Sequence, residues 1–252
     1  MAVSNQPVCL RALVTTLFLA SMLAISTLTL AEDVEPTRSN PTITVNTNLH
    51  GIVFDGMCSL FEAIANVSLD KYRYTDCGPG SYVDPPQQVD ILLEEGIGSI
   101  DLMTPYVLRK PARIIGPSAS DKTILTSTNG WGLVIFESSA TSGQFELRNL
   151  RFEDIVKDAD VPNVGSRCES SGAALCVAFT NAAQQLSIVD VDFFDNRVRY
   201  PSLTNGGEHG GAVYIYDLGE NRPNKSQVIM ERTIFQGNTA HRAGGAAYLS
   251  GV

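Results

Sequence analysis

The sequence lacks the short signatures that usually announce an enzyme. It carries no GxSxG elbow, no HExxH, no phosphate-binding P-loop and no dinucleotide-binding glycine fingerprint. No CxxC pair and no Cys/His spacing points to zinc. Positive charge is scarce: 18 Lys and Arg stand against 27 Asp and Glu, a formal net charge of −9. That balance argues against a nucleic-acid partner, whose phosphates attract basic surfaces. Helical periodicity is nearly absent, and no apolar run after residue 31 is long enough to span a bilayer. What remains, in 252 residues, is room for one or two domains with a sizeable core built from something other than helices.

The N-terminus is informative. Arg11 is the one charged residue before Glu32, and "ALVTTLFLASMLAISTLTLA" follows it. Thr29 and Ala31 supply the small residues of a signal-peptidase site, so residues 1–31 read as a cleaved secretory signal. The competing reading is an uncleaved membrane anchor. Cleavage removes Cys9 and leaves Cys58, Cys77, Cys168 and Cys176. An even count behind a secretory signal reads as disulfides, paired locally as Cys58–Cys77 and Cys168–Cys176, with free buried thiols as the alternative.

Residues 32–41 are polar with two prolines and read as a linker. "TITVNTN" alternates like a strand, with Ile43 and Val45 on one face. "CSLFEAIANVSLD" is the one convincing helix: Ser59 caps it, Glu62 stands at the capping-box position, and Leu60, Ile64 and Val67 share a face. Residues 42–88 therefore form an N-terminal cap with a helix and a Cys-containing loop. From Val89 onward come short β runs broken by Gly, Pro, Asn and Asp.

Three segments superpose on Phe152, Phe193 and Phe235, 41 and then 42 residues apart. Seven, five and two residues earlier stand Phe145, Leu147 and Leu150, then Leu186, Ile188 and Val191, then Val228, Met230 and Thr233. Steps of two are strand steps, and the step of three is a corner. Three residues later come Ile155, Asn196 and Asn238. Each segment leads to a glycine phrase, "SGAALCVAF", "GGAVYIYD" or "GGAAYLSGV", aligned here on Gly172, Gly211 and Gly245. A fixed period of this size marks a solenoid in which like residues stack about 4.8 Å apart. Asn196 and Asn238 would stack at one corner and the glycines at another. The fold class is thus all-β, a right-handed parallel β-helix with a short N-terminal capping helix, its coils spanning 89–252. The last phrase ends on an uncapped strand, which leads to the expectation that the coils are truncated or that something else covers them.

The motif "DGMCSLFEAIANVS" resembles the CSLREA motif of secreted bacterial β-helix proteins through Asp55, Gly56, Cys58, Ser59, Leu60, Glu62, Ala63, Ile64 and Asn66. Phe61 stands where that motif usually has Arg. "FFDN…GGAVYI" and "FQGNTAHRAGGAAYL" resemble the repeats of chlamydial-type polymorphic outer membrane proteins through Phe193, Asn196, Gly210, Gly211, Ala212, Phe235, Asn238, Gly244, Gly245 and Ala246. Both resemblances imply a pectate-lyase-like fold, secreted or displayed at the cell surface, often in adhesins. Neither motif is catalytic. Anchoring in an outer membrane would need sequence beyond the C-terminus.

The candidate chemistry is thin. Asp190, Asp192 and Asp195 could imitate the calcium ligands of a polysaccharide lyase, with Arg148, Arg151 or Arg232 as its base. The plainer reading is solvated outward side chains. Glycosidase chemistry needs two carboxylates at a set separation, and the sequence cannot choose a pair. His209 and His241 read as loop residues. Tyr214, Tyr216 and Tyr248 would point outward as a glycan platform, or else lie covered against the sheet. The same register turns Cys176 inward with Ile215, in conflict with a Cys168–Cys176 bond. Asn66 and Asn224 lie in glycosylation sequons. The expected function is a non-enzymatic, adhesin-like scaffold binding glycan or another cell surface, without cofactor. The alternative is a polysaccharide lyase or glycoside hydrolase on the same fold, where calcium would enter.

Overall fold

The computed structural model of the chain describes residues 40–51, 54–69, 74–77, 88–137, 143–157, 168, 171–180, 183–199, 209–219 and 225–252. The leader, most of the linker and Asn224 lie outside them. Nineteen strands and one α-helix are described, and every strand pairing among them is parallel.

The strands fall into four sheets. Sheet I holds β1 (Thr42–Val45), β2 (Val89–Leu93), β5 (Ala112–Ile115), β8 (Gln144–Arg148), β12 (Gln185–Val189) and β16 (Gln227–Glu231). Sheet II holds β3 (Ser99–Asp101), β6 (Thr123–Thr126), β9 (Leu150–Glu153), β13 (Asp192–Phe194) and β17 (Ile234–Gln236). Sheet III holds β10 (Val156–Lys157), β14 (Arg197–Val198) and β18 (Thr239–Ala240). Sheet IV holds β4 (Tyr106–Leu108), β7 (Leu133–Glu137), β11 (Leu175–Phe179), β15 (Val213–Asp217) and β19 (Ala247–Ser250). From β8 on, the chain visits sheets I, II, III and IV in order, three times.

The registers stack like on like. Ile43, Ile91, Ile114, Leu147, Ile188 and Met230 form one inward column of sheet I. Ile100, Leu125, Phe152, Phe193 and Phe235 form that of sheet II, with Phe193 between its two neighbours at ring distances of 5.1 and 5.0 Å. Burying one such side chain stabilises by about 1.5–3 kcal/mol, so core formation is distributed along the stack.

Two columns of left-handed residues make the corners around sheet II. Asn149, Asp190 and Arg232, with φ of 56°, 55° and 48°, sit at the three-residue step between sheets I and II. Asp154, Asp195 and Gly237, with φ of 55°, 52° and 69°, sit at the exit from sheet II. Asn and Asp tolerate this region because their short side chains bond locally. Asn196 and Asn238 stack just after that exit. The Asn196 Nδ2 donates to the Phe152 carbonyl at 3.0 Å, and its Oδ1 accepts from the Ile155 N–H at 3.2 Å. Asn238 repeats the pattern on Phe193 and on the Asn196 N–H.

The glycine alignment needs a correction of one residue. Gly172, Gly210 and Gly244 are the equivalent positions, with φ of 60°, 64° and 67°. A positive φ is what that corner demands, and the first glycine of each phrase supplies it. Cys176 therefore pairs with Tyr214, not Ile215, and faces away from the core. This removes the expected conflict: Cys168 and Cys176 are bonded, as are Cys58 and Cys77.

Helix α1 (Leu60–Ser68) starts with the capping box read from the sequence. The Glu62 N–H donates to Ser59 Oγ at 3.3 Å, and the Ser59 N–H donates to Glu62 Oε2 at 3.0 Å. Leu60, Ala63, Ile64 and Val67 are buried against the core. The Ser68 hydroxyl donates to the Val107 carbonyl and accepts from the Arg109 N–H, fastening the helix end to β4. Phe61 packs edge-on to Tyr106 at 5.6 Å and near His50 at 5.4 Å. Burial pushes the Tyr106 hydroxyl well above its ordinary pKa, and Asp101 adds to the effect.

Candidate functional site

Along each strand alternate side chains fill the core, and those between them set the outer surface. Two outer surfaces hold the residues singled out by sequence.

The first lies on sheet II and its corner with sheet I. Asp190 occupies the left-handed corner before β13 and accepts from Arg232 Nε at 2.6 Å and Nη2 at 2.8 Å. These bonds hold its carboxyl below the usual carboxylate range, and Lys122 and Arg148 add to the effect. Asp192 points outward from β13 yet is buried, pairing with Lys122 Nζ at 2.7 Å and more loosely with Arg151 Nη2 at 3.5 Å. Asp195 occupies the other corner, past the end of β13. The three aspartates thus lie at two corners and at the start of β13, and do not converge. Among the described residues no group of three or more His, Cys, Asp or Glu is placed to hold a metal ion. Arg148 turns to Glu146 at 2.5 Å. Asp190, Asp192 and Arg148 are therefore each matched with an opposite charge, namely Arg232, Lys122 and Glu146.

Sequence reasoning left out Lys122 and Phe194. Phe194 follows inward Phe193 and so faces out, and the Arg151 guanidinium lies over its ring at 4.9 Å. Strand parity alone would have revealed that doublet.

The second surface is the outer face of sheet IV. Val134, Cys176, Ala178, Tyr214 and Tyr216 form a small apolar cluster there with Cys168, and Trp131, Phe136 and Tyr248 pack against it. The Tyr214 and Tyr248 rings stack at 5.6 Å, as expected from the register. Tyr214 and Tyr216, however, are only 5% and 3% exposed. They lie covered, and Tyr248 alone of the three is half-exposed. His209 stacks on Tyr248 at 4.6 Å and bridges to Ala243, while His241 is exposed. The buried Lys157 donates from Nζ to the Cys168 and Ser171 carbonyls, holding the Cys168 backbone beside its disulfide. Asn66 is buried, with its amide donating to and accepting from the Tyr74 backbone at 2.8 and 2.9 Å, which closes that sequon in the folded chain.

No described helix is long and apolar enough to cross a membrane. Compared with known proteins, the chain matches no family model, no curated protein and no solved structure.

Proposed function

We propose that the chain is a non-enzymatic, surface-exposed scaffold wound as a right-handed parallel β-helix, binding glycan or another cell surface through its outer faces. Parallel pairing throughout, like-on-like stacking and one capping helix support that winding. Two disulfides support an oxidising, extracellular setting, with residues 1–31 as the signal that sends it there. The CSLREA-like and outer-membrane-protein-like motifs agree with such a protein.

One observation carries the non-enzymatic reading. Three outward carboxylates are each held by a cation: Asp190 by Arg232, Asp192 by Lys122 and Glu146 by Arg148. A general base or acid needs a group free to exchange a proton at the operating pH. A carboxylate held low by a bidentate arginine serves structure instead. The test is to incubate the secreted product with a panel of immobilised glycans and host-cell surfaces, and in parallel with soluble polysaccharides. Retention without new reducing ends or unsaturated products supports the scaffold. Depolymerisation that Asp190→Asn or Asp192→Asn abolishes would replace it with the lyase or hydrolase reading.

A further inference from the structure

Arg151 differs from the other outward cations of this surface. Lys122, Arg148 and Arg232 each hold a carboxylate at 2.5–2.7 Å. Arg151 reaches Asp192 only at 3.5 Å, a carboxylate already neutralised by Lys122, and Glu153 only at 3.9 Å. A guanidinium has five N–H donors in a planar fork. Among the described residues the 3.5 Å contact to Asp192 is its one side-chain hydrogen bond, and its buried Nε has no partner there. Its side chain is 37% exposed. It is therefore the under-used cation of the cluster.

One flank of it is apolar. Phe194 lies beneath it at 4.9 Å, with its ring outward and half-buried. Ile234, the outward residue one strand on and diagonal to Phe194, is 50% exposed. Stacking on an aromatic ring fixes the plane of a guanidinium and leaves its edge for a bidentate acceptor. A forked donor beside an apolar shelf fits a ligand with a carboxylate next to a C–H-rich ring face.

We propose that Arg151, Phe194 and Ile234 form a binding site for an acidic saccharide, a pyranose bearing a carboxylate. The inference rests on the glycan-binding reading above and names its site and ligand class. Arg151 takes the carboxylate in place of its long contact to Glu153. Phe194 and Ile234 take the ring's C–H face. Glu153 then competes with the ligand for the same cation.

The probe is an oligosaccharide of alternating glucuronate and N-acetylglucosamine, with its carboxyl-reduced form as the uncharged control, titrated calorimetrically into the disulfide-bonded chain. The acidic form is expected to bind at least tenfold more tightly than the reduced form. Arg151→Ala should weaken it tenfold or more, Arg151→Lys several-fold, because an ammonium cannot supply the fork. Phe194→Ala should weaken it about fivefold, and Glu153→Gln should tighten it several-fold. Far-UV circular dichroism checks that each variant folds, and Arg151→Lys with Glu153→Gln decides the matter if Phe194→Ala does not. Equal affinity for the two oligosaccharides, no affinity for either, or indifference to Arg151 and Glu153 would overturn this site. Retention on other glycans or on cells would still leave the scaffold reading standing, whereas absence of all retention would remove both.

Discussion

Asn196 is the sharpest place to test why the stack holds together. Its side chain is fully buried and bridges two repeats, serving the Ile155 N–H and the Phe152 carbonyl while donating to Asn238. Asn196→Ala leaves those two backbone groups buried without partners. Each such loss costs about 1–3 kcal/mol, so the variant should lose about 2–6 kcal/mol. Asn238→Ala breaks equivalent bonds, to the Phe193 carbonyl and from the Asn196 N–H. Asn238 is half-exposed, so water can replace it there, and the loss should be about 1–2 kcal/mol. Asn196→Asp adds a check on sign. Burial raises the pKa of the new carboxyl above its unfolded value of about 3.9. The folded variant then binds its proton more tightly than the unfolded chain. Its stability falls as pH rises above 4 and recovers in acid, where the O–H again donates to Phe152. Urea unfolding followed by circular dichroism at pH 4.5 and 7.5 measures all three. The reasoning fails if Asn196→Ala costs no more than Asn238→Ala, or if Asn196→Asp is less stable at pH 4.5 than at 7.5.

Three further outcomes are expected. Gly210→Ala should cost at least about 2 kcal/mol in urea unfolding, because φ is 64° and the added methyl meets the Val213 carbonyl; Gly96→Ala, at φ 82° in open space, should cost about 1. The Asp190 carboxyl contributes stability that is present above its unfolded pKa and is lost as pH falls through its lowered folded value, so Arg232→Gln should move its NMR titration upward; an unmoved titration contradicts the pairing. Replacing Cys168 and Cys176 by Ser should lower stability by about 2.5 kcal/mol and open Tyr214 and Tyr216 to iodination, while unchanged iodination would mean the disulfide has no part in covering them.

Much of the parallel β architecture was legible because the code is local. The apolar steps before Phe152, Phe193 and Phe235 name the inward columns, and the observed registers are those columns. The capping box at Ser59 and Glu62 is a four-residue pattern and needs no tertiary context. The glycine phrase misled by one residue because two adjacent glycines in "GGAVYIYD" compete for one corner. Only backbone φ distinguishes them: Gly210 takes the left-handed angle, and Gly211 is small because its Cβ would strike the Gly245 and Thr239 backbone. A slip of one residue reverses every side chain of a strand, and that is how Cys176 came to be read as inward.

Parity along a strand tells which side chains leave the core, but not whether they reach water. Asp192 and Tyr214 both point out, and both are buried. Asp192 is covered by Lys122, which is 70 residues away in sequence, and Cys168 joins the Tyr214 cluster through a bond to β11. Such coverings depend on long-range contacts that no short window encodes. The same argument explains why the sequence could not separate Arg151 from Arg148 and Arg232. Its neighbours in sequence, Leu150 and Phe152, face the core, and its functional context comes from Asp192 and Phe194, about one repeat later. A cation is informative only when its anions are counted in space. Arg232, read from sequence as the equal of Arg151, has two short bonds to Asp190, whereas Arg151 has one long one to Asp192. That difference in unused hydrogen-bonding capacity, rather than the presence of arginine, is what separates a structural ladder from a surface able to take a ligand.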